Sequence, residues 1–245
     1  MKYLELTKHL VLREIRARYK QSFLGFFWIL INPFAQMLIM SFVFSRVMKI
    51  DTIAVPYPIY LYAGLLPWIF FSTAMSASTT TLIDNSALIK KIYFPREILV
   101  FSTLVAKSID LLFSSIVFII LMLWFHVPFT WYMLLFFPLF VLQFFFTFGL
   151  ALLISALNLL YRDVQYIFNL ILTLWFYLTP IIYAVEFIPQ EFRWLFRFNP
   201  LSVFINAYRQ VLFGNGFPNM VSLGVGTLIS IILFLISFKI FKKLE

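Results

Sequence analysis

This sequence predicts an all-α, polytopic membrane protein with six transmembrane helices and both termini in the cytoplasm, and three observations carry the prediction. Of 245 residues, 63% are hydrophobic and 12% are Asp, Glu, Lys or Arg, about half the charged share of a typical soluble chain. Runs free of those four residues cover 21–45, 52–83, 111–161, 164–185 and 210–238; roughly 20 apolar residues suffice to cross a hydrocarbon core as a helix. Lys and Arg cluster between the runs, and their bias toward cytoplasmic segments gives the orientation.

The elements follow in order. Lys2, Glu5, His9, Arg13, Arg16 and Lys20 recur every three or four residues, with Leu4, Val11 and Ile15 opposite. That is an amphipathic helix suited to a membrane surface. No short apolar core with a small-residue cleavage site opens the chain, so a secretory signal is not expected. The first crossing covers about 23–48 and contains Asn32–Pro33, a kink signal. Arg46, Lys49 and Asp51 then mark an outer loop, and the second crossing, about 58–84, ends in the small and hydroxylated run "STAMSASTTT". Small residues of this kind permit close helix packing in a membrane.

The stretch "LIKKIYFPREIL" at 88–99 brings the chain back to the cytoplasm. Crossings follow at about 97–125, 131–157 and 165–184, the last stopped by Pro180, with Arg162 and Asp163 in a second cytoplasmic turn. Residues 185–215 are irregular and external, lying at or dipping into the outer leaflet. Within them Asn199–Pro200 is a helix start, combining a capping side chain with proline at the first helical position. The sixth crossing covers about 219–240. The expected organisation is one membrane domain: interface helix 1–22, helices one to five 23–184, external segment 185–217, and helix six with its tail 218–245.

Formal net charge is +9 and cysteine is absent, so disulfides and thiolate metal sites are excluded. His9 and His126 are too few and too scattered for a metal site or a His-based nucleophile pair. No phosphate-cradling G-x-x-x-x-G-K-[ST] loop occurs. If the work of this chain needs ATP, a partner must bind it. Lys107 and Asp110 are three apart on the third crossing, placed either for a function that repays burying charge or for pairing with each other. Aromatic side chains are 21% of the sequence. Most should face lipid or form interfacial belts; some could line a pathway, where flat π faces hold the C–H faces of sugar rings.

Six segments together carry a resemblance: "REIRARYKQSFLGFFWILINP" (13–33), "YAGLLPWIFFS" (62–72), "LIKKIYFPREIL" (88–99), "NLLYRDV" (158–164), "FYLTPIIY" (176–183) and "FNPLSVFINAYRQVL" (198–212). In order and spacing the chain resembles, over nearly its full length, the ABC type-2 permeases. The branch that exports lipid-linked polysaccharides is nearest, O-antigen exporters first and teichoic-acid and capsule exporters close behind.

The resemblance implies a transport subunit rather than an enzyme, in the inner membrane, working as a homodimer with two separate ATPase subunits that bind ATP and Mg. It implies that loop 88–99 is a coupling helix docking on the ATPase, through Leu88, Lys90, Lys91, Tyr93, Phe94, Pro95 and Arg96, supported by Arg162 and Asp163. Arg13, Arg16, Arg18 and Lys20 would meet a lipid diphosphate at the cytoplasmic entrance, and 185–215 would be a re-entrant closure of the outer mouth. Phe27, Trp28, Phe168, Trp175, Tyr177 and Tyr183 are the expected glycan path. The cargo implied is a polyprenyl-diphosphate-linked polysaccharide, with membrane lipids and no nucleic acid as further partners. Competing readings are an exporter of a drug or small lipid, a passive channel, and a membrane transferase, for which Glu186 and Glu191 are the one available acid pair.

Overall fold

The computed structural model describes residues 2–19, 24–49, 55–213 and 216–244. Helices account for every regular element among them. Helix α1 is Lys2–Tyr19, α2 Trp28–Ser41, α3 Tyr57–Asp84, α4 Ser86–Lys91, α5 Glu97–Trp124, α6 Phe136–Leu160, α7 Val164–Tyr177, α8 Arg193–Phe198, α9 Pro200–Leu212 and α10 Met220–Leu244. Tight 3₁₀ turns at Gly25–Phe27 and Trp131–Leu135 lengthen α2 and α6, and a wider π-helical segment, Phe42–Val47, continues α2. Among the described residues five helical stretches are long and apolar enough to cross a membrane: Gly25–Val47, Tyr57–Asp84, Glu97–Trp124, Trp131–Leu160 and Met220–Leu244.

The fifth expected crossing is present as the shorter α7, which stops at Tyr177 rather than near 184. Proline explains the early stop. Pro180 supplies no N–H and disfavours helical geometry at Thr179, and the Thr179 hydroxyl turns back to donate to the Trp175 carbonyl at 2.8 Å. At about 1.5 Å per residue, 14 residues reach roughly 21 Å, short of the ~30 Å core. The chain then reverses through 178–184 and returns in α8 and α9.

Helix α3 is the centre of the bundle, packing on α2, α5, α6, α7 and α9. It tolerates two prolines. Pro58 sits in the first turn, where no N–H is needed, while Pro67 is buried inside the helix and its carbonyl accepts a bond from Gln143 Nε2 of α6 at 2.8 Å. Helix α10 lies along α6, and the approach is closest at Gly149, where a Cβ would fall 2.8 Å from Phe234 Cα. Only glycine fits there. Within the segment expected to be external, α9 is almost wholly buried, held among α3, α6 and α10.

One end of the bundle gathers most of the charge. Arg13 of α1 donates to Asn85 Oδ1 between α3 and α4, and Lys242 of α10 is 2.8 Å from Glu97 Oε1 at the start of α5. Lys90, Lys91, Arg96 and Arg162 lie on the turns of that same end. Lys107 and Asp110 pair at 3.9 Å, as their spacing allowed. They lie near the middle of the 28-residue α5, one to two turns from Phe113, against which Phe26, just before α2, stacks edge-on with centroids 4.4 Å apart.

Candidate functional site

The basic end presents two adjacent turns. In the first, α4 covers Ser86–Lys91 and the chain then extends before α5, so the helical part lies earlier than the expected 88–99. Lys90, Lys91 and Ile92 are exposed, and Leu88, Pro95 and Arg96 are half-buried. The two aromatic residues separate completely. Tyr93 is 99% exposed whereas Phe94, at 5%, is part of the core. Adjacent residues in extended chain point to opposite sides, so only Tyr93 is offered to a partner, and Phe94 anchors the turn from beneath.

The second turn, between α6 and α7, exposes Tyr161, Arg162 and Asp163. Its position is fixed by Asn158, which sequence reasoning missed. This fully buried amide donates from Nδ2 to the Thr79 carbonyl at 2.9 Å and accepts from the Gln165 amide at 3.1 Å. One side chain thus ties α6 to α3 and caps an orphan amide in the first turn of α7. An asparagine inside an apolar run, seven residues before the amide it serves, was the available signal.

The expected entrance cations do not act alike. Arg13 is committed to Asn85, which itself donates to the Thr81 carbonyl at 2.8 Å. Arg16 is exposed. Arg18 falls within α1, and Lys20 lies outside the described residues.

The six aromatic residues expected along a path are not brought together. Phe168 is buried inside the bundle. Trp175 is half-buried, packed edge-on against Phe71 at 5.4 Å and donating from Nε1 to Asn199 Oδ1 at 3.2 Å. Phe27, Trp28 and Tyr177 are exposed. Tyr183 is half-buried and donates to the Tyr177 carbonyl at 2.8 Å.

A different set does align. Ser72, Ser76, Thr80 and Asp84 recur every fourth residue of α3, and Tyr166, Asn169, Thr173 and Tyr177 every third or fourth of α7; such spacing makes one stripe per helix. Ser76 donates to Asn169 Oδ1 at 3.1 Å, joining the stripes, and Thr80 donates to Asp84 Oδ2 at 2.7 Å. None of the eight is fully buried. The most enclosed helix of the bundle thus keeps an open side that is small and hydroxylated, a surface hydrocarbon would not favour.

At the other end of α3, the buried Arg209 of α9 donates to the carbonyls of Pro180 and Ile181 at 2.6 and 2.5 Å and to the Tyr60 hydroxyl at 2.9 Å. Its guanidinium also lies 3.7 Å over the Tyr60 ring. Gly64 leaves the room, since a Cβ there would be 2.6 Å from Arg209 Nη2.

The sequence pattern described as "ABC-2 type transporter" matches residues 5–213. The chain belongs to the ABC-2 type transporter family. Both turns of the basic end, the two stripes and Arg209 all fall inside the matched region. Among known ABC-2 proteins, the chain is 31% identical to the "O-antigen export system permease protein RfbA" of Myxococcus xanthus over 244 residues, covering 98% of this chain and 93% of that one. It is 33% identical to the Klebsiella pneumoniae protein of the same name over 235 residues, covering 95% and 89%. A more distant likeness, 22% over 244 residues, covering 96% and 92%, is to the "Polysialic acid transport protein KpsM" of Escherichia coli. This ABC-2 chain is a multi-pass membrane protein.

Proposed function

We propose that the chain is the permease subunit of an ATP-driven exporter that moves a polyprenyl-diphosphate-linked polysaccharide of O-antigen type from the cytoplasm across the inner membrane. Its relatives' names support the cargo class, and the observation that carries the reading is the paired polar stripe on α3 and α7. Hydroxyls, amides and tyrosine rings on an open face suit a hydrated glycan: the polar groups exchange hydrogen bonds with sugar hydroxyls, and the rings meet C–H faces. Bare hydrocarbon would leave Asn169 poorly solvated. A second copy of the chain facing this side would enclose the path, giving a homodimer.

In this reading the basic end is cytoplasmic by the positive-inside rule, and α7 with the reversal after it makes the fifth of six crossings. Segment 185–215 is then the re-entrant outer closure, with α9 as its buried limb. The polar stripes replace most of the aromatic path, with Tyr177 common to both.

Two ATPase subunits bind ATP and Mg and dock on the basic end. Lys90, Lys91 and Tyr93, with Leu88, Pro95 and Arg96 behind them, form the main contact, and Arg162 and Asp163 the second. Tyr93 supplies an aromatic anchor and the cations orient the partner. Arg16, with Arg18 and Lys20, meets the lipid diphosphate, which clustered Arg and Lys bind well. Arg13 holds the first turn in place.

The test is export in cells that make the glycan but lack this chain. Restoration of surface polysaccharide by the chain together with its ATPase is expected. Unchanged cytoplasmic accumulation despite assembly of the complex would overturn the assignment.

A further inference from the structure

We infer that Arg209 is a positioning residue for export, which clamps the reversal after α7 to α3 so that the outer closure moves with the helix whose other end carries the coupling turn. The inference rests on the transporter reading above and adds a residue and a route to it.

The geometry is specific. A planar guanidinium reaches two successive carbonyls, Pro180 and Ile181, left without helical partners by the break at Pro180. From the same position it binds the hydroxyl and lies over the ring of Tyr60, on the second turn of α3. Neighbouring groups repeat the connection. Tyr57 of α3 donates to the Ile182 carbonyl at 2.7 Å, and Asn199 accepts from Trp175 while donating to Thr179 Oγ1 at 3.2 Å. Residues 178–183 are thus gripped from both α3 and α9. A loosely hung flap at the outer mouth would need none of these bonds.

Helix α3 then runs 28 residues, about 42 Å, with Pro67 inside it braced by Gln143 of α6, to Asn85, where Arg13 fixes the turn before α4. A displacement of the coupling turn therefore reaches the outer closure through one continuous helix. The stripe of Ser72, Ser76, Thr80 and Asp84 runs along that element to its basic end, so the proposed path would be reshaped by the same movement.

Two substitutions isolate the clamp. Arg209→Lys keeps a cation but cannot bind both carbonyls while stacking on Tyr60. Gly64→Ala leaves Arg209 in the sequence and improves helix propensity, yet places a methyl where Nη2 now sits. Both are tested in the full chain with its ATPase, after confirming by gel filtration and thermal unfolding that the complex assembles. The native chain has no cysteine, so Trp194→Cys provides a single nitroxide site on the exposed face of α8.

The expected result is that both variants hydrolyse ATP at the wild-type basal rate, lose surface polysaccharide by roughly tenfold, within the usual range of coupling between sites, and lose the nucleotide-dependent change in the label's mobility. Wild-type export with an intact label response in either variant would overturn the inference. If the wild-type chain exports no polysaccharide, the substrate reading fails by itself. The label response to nucleotide still decides the role of Arg209 in that case.

Discussion

Replacing Asn158 with alanine removes two hydrogen bonds from a fully buried position. The Thr79 carbonyl remains available to its own helix, so its loss is small; hydrogen bonds between membrane helices average about 0.6 kcal/mol and reach ~1.7. The Gln165 amide is different. It belongs to the first turn of α7, where no helical acceptor exists, and leaving this part-buried donor unsatisfied costs toward the lower end of about 1–3 kcal/mol. Together the loss is about 2 kcal/mol. For a chain of this length each kcal/mol moves Tm by roughly 2–4 °C, giving a fall of about 4–8 °C. Thermal unfolding of the purified complex in detergent, followed by tryptophan fluorescence, reads it directly. A shift smaller than about 1 °C would refute the claim that Asn158 holds the α6–α7 corner.

Three further outcomes follow from the same geometry. Tyr93→Ala, at an exposed position, should leave stability within about 0.5 kcal/mol while weakening ATPase binding in a pull-down, whereas Phe94→Ala should cost about 3–5 kcal/mol as a core truncation. Equal thermal shifts in the two variants would contradict their opposite orientations. Gly149→Ala should destabilise by about 1–3 kcal/mol through overpacking against the Phe234 backbone, visible as a lowered Tm, and an unchanged Tm would place α10 farther from α6. Ser76→Leu combined with Asn169→Leu should preserve complex assembly and ATP hydrolysis but abolish surface polysaccharide; normal export would remove the polar stripes from the path.

Much of the fold could be read from the chain because long apolar runs have one solution in a bilayer. The helix start at Asn199–Pro200 was also readable, and the Asn199 side chain does accept from the Leu201 amide at 3.1 Å, because capping is local chemistry. What escaped was set by distant contacts. The burial of Arg209 was not readable, since nothing near it in sequence announces Tyr60 or the carbonyls of Pro180 and Ile181. The inward turn of Phe94 and Phe168 was hidden for a related reason: when both faces of an element are aromatic, composition cannot say which is buried. Serines and threonines on α3 were seen as a packing surface, and some are, Ser78 and Thr79 being buried. The four-residue recurrence of the open ones gains meaning only beside Asn169 and Thr173 of α7.

ATP hydrolysis by the purified complex in lipid, with and without a polyprenyl-diphosphate-linked glycan, separates polysaccharide export from export of a small substrate. Stimulation by the long glycan, but by neither the bare lipid nor a drug panel, is expected. A complex that hydrolyses ATP and ignores the glycan would contradict polysaccharide export.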